Sequence, residues 1–109
     1  MRVLFDQGTP VPIRPFLIRH TVRTAAQQQW DTLKNGDLLI AAEDAGGFDV
    51  FLTTDRNIRY QQNLAGRTIA VVVVGVQQSP ALKPHIGLVV ATVDGATPGS
   101  YPEVEIPPS

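Results

Sequence analysis

Residues 35–55 carry Asp37, Glu43, Asp44, Asp49 and Asp55 with no lysine or arginine among them, a local charge of -5. A further acid, Asp6, closes the apolar run Val3-Leu4-Phe5, and Asp55 closes Phe51-Leu52-Thr53-Thr54. Carboxylates brought together repel each other, raise each other's proton affinity and oppose folding unless a cation sits among them. With no cysteine and two histidines in the chain, the donors on offer are oxygens, which suit Mg²⁺ or Mn²⁺ better than zinc. Such an ion keeps positions open for water and a phosphate oxygen, and activates that water for phosphodiester cleavage.

The acidic middle is flanked by basic residues. Residues 1–34 hold five bases against two acids, and residues 56–109 hold four against three, so +3, -5 and +1 sum to the net charge of -1. The neutral total therefore conceals an acidic pocket within a partly basic chain. Arg56 and Arg59 follow Asp55 closely and are placed to meet RNA phosphates or to form a solvated helix face. His20 and His85 stand alone and read as structural or surface residues. Trp30 reads as packing against a sheet, and Asp44 and Asp49 as solvated surface charges.

Acids at two distant points in the chain meet only if the intervening elements bring them together. Arg2–Phe5, His20–Arg23, Phe48–Thr53 and Ile69–Val74 read as strands, the last on its length and β-branching. Helices are expected over Val11–Ile18, Thr24–Trp30 with Thr24 as N-cap, Asp37–Ala45, Asp55–Leu64 and Pro80–Val93. In the third of these, Leu38, Leu39, Ala42 and Ala45 share one face. Val104 and Ile106 alternate with Glu103 and Glu105 in a Pro-rich tail, as in an edge strand or extended arm. Alternating strands and helices imply α/β architecture: a single small three-layer α/β/α domain over 1–96 with a mainly parallel sheet, and a tail over 97–109. In such sheets ligands bind beyond the carboxyl ends of the strands, the edge where Asp6 and Asp55 fall. No signal peptide or membrane-length apolar segment is present in the 109 residues, so a soluble, cytoplasmic protein with no membrane partner is expected.

Val3-Leu4-Phe5-Asp6 with Gly8-Thr9-Pro10, and Phe51-Leu52-Thr53-Thr54-Asp55-Arg56-Asn57-Ile58, together resemble the two signatures of PIN-like domains. The resemblance spans residues 1–75. It implies a metal-dependent ribonuclease, as in the toxin half of bacterial toxin–antitoxin pairs, with Asp6 and Asp55 as metal ligands. An antitoxin protein would then be a partner, and family habit together with the apolar tail implies a homodimer. Two departures stand out. Asn57 occupies a position where these families often carry a second acid, and would orient water or a ligand. The acid expected at the start of the middle helix falls in register with Asn35, leaving Asp37 as the third ligand and Glu43 as its alternative.

Two other functions are compatible with parts of this pattern. A PIN-like domain lacking the acid at Asn57 could bind RNA or protein without cleaving. A phospho-accepting receiver domain would use Asp55 as acceptor, but it requires paired acids after the first strand and a lysine after the last. Here Asp6 is single and no lysine follows the valine strand before Lys83.

Overall fold

The runs Val50–Thr53 and Ala70–Val74 hold only apolar or β-branched side chains, a composition that demands cover on both sheet faces. A computed structural model describes residues 1–9, 11–44, 47–58, 67–75 and 85–104. Strands β1 (Arg2–Phe5), β2 (Thr21–Thr24), β3 (Val50–Thr53), β4 (Ala70–Val74) and β5 (Glu103–Val104) form one sheet in the order β2-β1-β3-β4-β5. All four neighbouring pairs are parallel. The chain is an α/β domain. Among the described residues no helix is long and apolar enough to cross a membrane.

The two-residue period of the strands sorts their side chains into two cores. Val3, Phe5, Val50, Leu52, Val72 and Val74 join Ile13 and Leu17 from the β1–β2 connection, and Ile86, Val89 and Val93 from a helix before β5. Leu4, Phe51, Val71 and Val73 join Leu38, Leu39 and Ala42, together with Phe48 and Ile58. The first connection is a 3-10 helix, Val11–Phe16, with Pro15 inside it. Its prolines remove backbone donors that an α-helix would use. Helix α1 (Asn35–Asp44) buries Leu38, Leu39 and Ala42 completely, and α2 (Ile86–Asp94) buries Ile86, Val89 and Val93 at helical spacing.

One expectation needs adjustment. Residues 25–29 form turns, not a helix. The Thr24 hydroxyl does accept from the Gln27 amide at 3.1 Å, as a cap would. The chain then closes after one turn, because Trp30 N–H returns to Ala25 O (2.9 Å) and Gln29 N–H to Ala26 O (3.0 Å). Gln29 takes φ 62°, which completes a Schellman-type helix stop. Trp30 is thereby set edge-on to Phe48, ring centroids 6.2 Å apart, so its role is packing. In the tail the edge-strand reading holds: β5 hydrogen-bonds to β4 as the outermost strand of the sheet. Residues 59–64 of the helix expected over Asp55–Leu64, and 80–84 of the one expected over Pro80–Val93, lie outside the described residues, as do Ala45 and Ile106.

Candidate metal centre

The connection leaving β1 enters the core face of Val3 and Phe5, whereas the one leaving β3 places Ile58 on the opposite face. Where neighbouring strands send their connections to opposite sides, a crevice opens at their carboxyl ends. Asp6 stands directly after β1 and Thr53-Thr54-Asp55 at the end of β3, one on each side of that crevice.

Asp6 is 4% exposed. Its backbone N–H donates to Leu52 O at 3.1 Å, fixing it to the end of β3. Its side chain is held by two hydroxyls: Thr53 Oγ1 donates to Oδ2, and Thr9 Oγ1 lies 2.5 Å from Oδ1. The Thr9 hydroxyl is also 2.9 Å from the Leu52 carbonyl oxygen, so its single proton has two acceptors within reach. Burial pushes the Asp6 carboxyl above its ordinary value; the hydroxyl and backbone bonds from Thr53 and Thr9 oppose that shift, and the charge of nearby Asp55 adds to it. Gly8 completes the cradle, since a Cβ there would stand 3.0 Å from Thr54 Oγ1.

Asp55 is half-buried, and its Oδ1 accepts from the Asn57 amide at 3.0 Å. It therefore caps its own turn while facing the crevice edge, two roles that coexist on one carboxylate. Asn57 is exposed, and the contact described for it is this backbone bond. Arg56 is exposed on the same turn, and Arg59 lies outside the described residues. Beside Asp6, between the ends of β1 and β2, a pocket of about 220 Å³ is lined by Asp6, Gln7, Thr9, Thr24, Ala25 and Ala26.

The remaining acids go elsewhere. Asp37 is exposed in the first turn of α1, and among the described residues no group of three His, Cys, Asp or Glu side chains gathers to hold a metal. Glu43 is corrected outright as a ligand. Its Oε2 accepts from the Thr68 and Ile69 amides at 2.8 and 3.3 Å, and its Oε1 from Arg67 at 3.2 Å. Those residues enter β4 at its amino end, the opposite edge of the sheet. Burial raises the Glu43 pKa, but the two amides and Arg67 outweigh it and hold the carboxyl below its ordinary value. Asp49 is exposed, as expected, and its Oδ2 also accepts from the Arg2 amide at 2.8 Å. His20 has a structural role: its Nε2 lies 2.5 Å from Asp94 Oδ1, joining the start of β2 to the end of α2.

Thr9, Thr53 and Thr54 are the site residues that sequence reading left without roles. Their signal was present in Gly8-Thr9 and Thr53-Thr54-Asp55, but which hydroxyl meets which carboxylate oxygen depends on the pairing Phe5↔Leu52 between β1 and β3. The chain matches no family model, no curated protein and no solved structure.

The donor set suits a hard divalent ion. Asp6 oxygens that each accept one hydroxyl retain a second lone pair, and Mg²⁺ is commonly held by one or two carboxylates, with water and substrate phosphate completing its shell. A desolvated carboxylate beside a second one is also a site whose electrostatics a cation would relieve.

Proposed function

We propose that the chain is a PIN-like, divalent-metal-dependent ribonuclease in which Asp6 and Asp55 hold Mg²⁺ or Mn²⁺. The observation that carries this reading is the buried Asp6, held by the Thr53 and Thr9 hydroxyls at the carboxyl end of β1, with Asp55 at the end of the neighbouring β3. A carboxylate desolvated beside a second one at a strand-end crevice is an arrangement that functional sites use. When bound, the ion supplies a water of lowered pKa and neutralises charge developing on the phosphodiester oxygens. Thr53 and Thr9 fix the plane of the Asp6 carboxylate, so its free lone pairs are preorganised. Asp55 brings the second charge while its turn presents Arg56 toward solvent, where phosphate contacts are made. In this reading RNA is the substrate, the site of action is cytoplasmic, and an antitoxin and a second copy of the chain are the protein partners.

The test is Mn²⁺ titration by calorimetry alongside cleavage of an RNA oligonucleotide. Wild type should bind Mn²⁺ and cleave, and Asp6→Ala and Asp55→Asn should each lose activity by about a hundredfold or more, as removal of a metal-holding carboxylate entails. Absence of Mn²⁺ binding, or cleavage indifferent to both substitutions, defeats the proposal.

The lack of a three-acid group among the described residues favours a second reading, a PIN-like module that binds RNA without cutting it. Metal-independent RNA binding with no cleavage in Mg²⁺ or Mn²⁺ would select it over the first.

A further inference from the structure

The connection between β1 and β2 turns Ile13 and Leu17 into the core, whereas Phe16 is 51% exposed and Ile18 85% exposed. Helix α2 buries Ile86, Val89 and Val93 against the same core. Val90 and Asp94, one helical turn apart, lie on the flank of α2 that faces this connection. Together Phe16, Ile18, Arg19, Val90 and Asp94 line an open groove of about 230 Å³. Isolated exposed apolar residues are ordinary, but a continuous apolar recess with large side chains standing at its rim marks a contact face. The charges on that rim are also open. Arg19 is exposed and makes no hydrogen bond or ion pair among the described residues. Asp94 commits Oδ1 to His20 Nε2 at 2.5 Å, and that His20 side chain is only 5% exposed. Asp94 Oδ2 has no partner among the described residues. The groove thus carries one charge of each sign, set on different elements, and the two do not pair within the chain.

We propose that this groove is the face on which a second copy of the chain docks about a twofold axis. Ile18 of each copy enters the apolar part of the other's groove, and Arg19 of each meets Asp94 of the other. A twofold contact must be self-complementary, because whatever one patch offers the identical patch has to receive. A projecting aliphatic side chain, an apolar recess, an open cation and an open anion on one patch meet that requirement. A groove of single sign would select a partner of the opposite charge instead. His20 holds the Asp94 carboxylate in place before docking, which lowers the ordering cost of the contact. Because β4 and β5 are parallel, α2 between them runs back to the amino edge of the sheet, where Asp94 meets His20. Asp6 and Asp55 lie at the carboxyl edge, so the crevice of each copy faces away from the contact. The nuclease reading names a second copy as a partner; the face that copy takes rests on the groove and not on the metal site.

Light scattering over a concentration series measures the mass of wild type, Ile18→Asp, Arg19→Glu, Asp94→Arg and an equimolar mixture of the last two. Wild type should reach twice the chain mass. Ile18→Asp changes a position outside the core and should weaken association about tenfold to a hundredfold, the loss for one aliphatic side chain withdrawn from burial. Arg19→Glu and Asp94→Arg each place like charges at both junctions, so each alone should be monomeric where wild type is dimeric. Their mixture should regain the dimer, because both junctions then pair opposite signs. Asp94→Arg gives up the bond to His20, so thermal scans accompany the series. If that variant does not fold, Ile18→Asp and Arg19→Glu decide the matter. A wild type that stays monomeric, a dimer indifferent to Ile18→Asp and Arg19→Glu, or a mixture of folded variants no heavier than its components each overturn the proposal. Mn²⁺ calorimetry on the same proteins separates it from the nuclease reading. A monomeric wild type that binds Mn²⁺ defeats the docking face alone. A dimer that binds no Mn²⁺ and is split by Ile18→Asp defeats the metal site and supports the face.

Discussion

Asp6 binds a proton more tightly in the folded chain than in the unfolded one, because burial outweighs the bonds from Thr53 and Thr9. Between the ordinary value of 3.8 and the raised folded value, the native state therefore carries more protons than the unfolded state. Stability then falls as pH rises through that window and stays lower above it. Asp6→Asn should remove this dependence without breaking the network. The introduced side-chain amide can donate to Thr9 Oγ1 while Thr9 donates to the Leu52 carbonyl already 2.9 Å away. We expect Asp6→Asn to melt above wild type at neutral pH. The gap should close below about pH 4, where the wild-type carboxyl is protonated in both states. Added Mn²⁺ should raise the wild-type Tm and not that of the variant. Thermal scans at several pH values check this; a pH-independent gap, or a lower variant Tm at neutral pH, contradicts it. The two acids were legible because each ends an apolar strand run. The hydroxyl cradle was not, because strand register alone brings the Thr53 hydroxyl to a carboxylate 47 residues away in sequence.

At the scale of elements, the two edges of the sheet use charge in opposite ways. At the amino edge acids have partners that stabilise them: Glu43 ties the end of α1 to the entry of β4, and Asp49 ties the entry of β3 to β1. Glu43→Gln should lower stability by about 1 kcal/mol, a charge-assisted pair discounted for its access to solvent. Because the folded pKa is depressed, that contribution is present above the ordinary glutamate value and lost as pH falls through the folded one. Urea denaturation at about pH 7 and at successively lower pH should show the wild-type advantage shrink as the pH falls below the ordinary glutamate value. The turn at Ala25–Gln29 makes a separate claim. Gln29 sits at φ 62°, where a side chain costs about 1 kcal/mol, so Gln29→Gly should stabilise by up to that amount, measured in the same denaturation series. A loss of stability would mean that the Gln29 side chain has packing value. The helix expected there failed for a local reason: the Thr24 cap signal was real, but periodicity does not reveal a stop one turn later that swings Trp30 onto Phe48.

For the whole molecule, the parallel α/β class was legible from alternating apolar runs and helical faces, whereas the strand order was not. Side-chain pattern records which faces are covered and is silent on which strand lies beside which. The order β2-β1-β3-β4-β5 matters for the proposed site, because it puts β1 and β3 side by side and so brings the ends that carry Asp6 and Asp55 together. It also makes the last described residues part of the sheet. The amides of Val71, Val73 and Gly75 donate to Ser100, Pro102 and Val104 carbonyl oxygens at 2.9, 3.0 and 2.9 Å, and Val104 is buried. Three ladder bonds at about 1 kcal/mol each and a buried valine at about 2 kcal/mol are a large share of the roughly 5–15 kcal/mol that stabilises a small domain. Removal of residues 97–109 should therefore lower unfolding free energy by about 3–5 kcal/mol and bare a valine-rich edge on β4, which invites edge-to-edge association. Denaturant midpoints and light scattering on the truncated chain check both effects. A truncated chain that keeps full stability would show that 97–109 is an appendage to the sheet and not part of it.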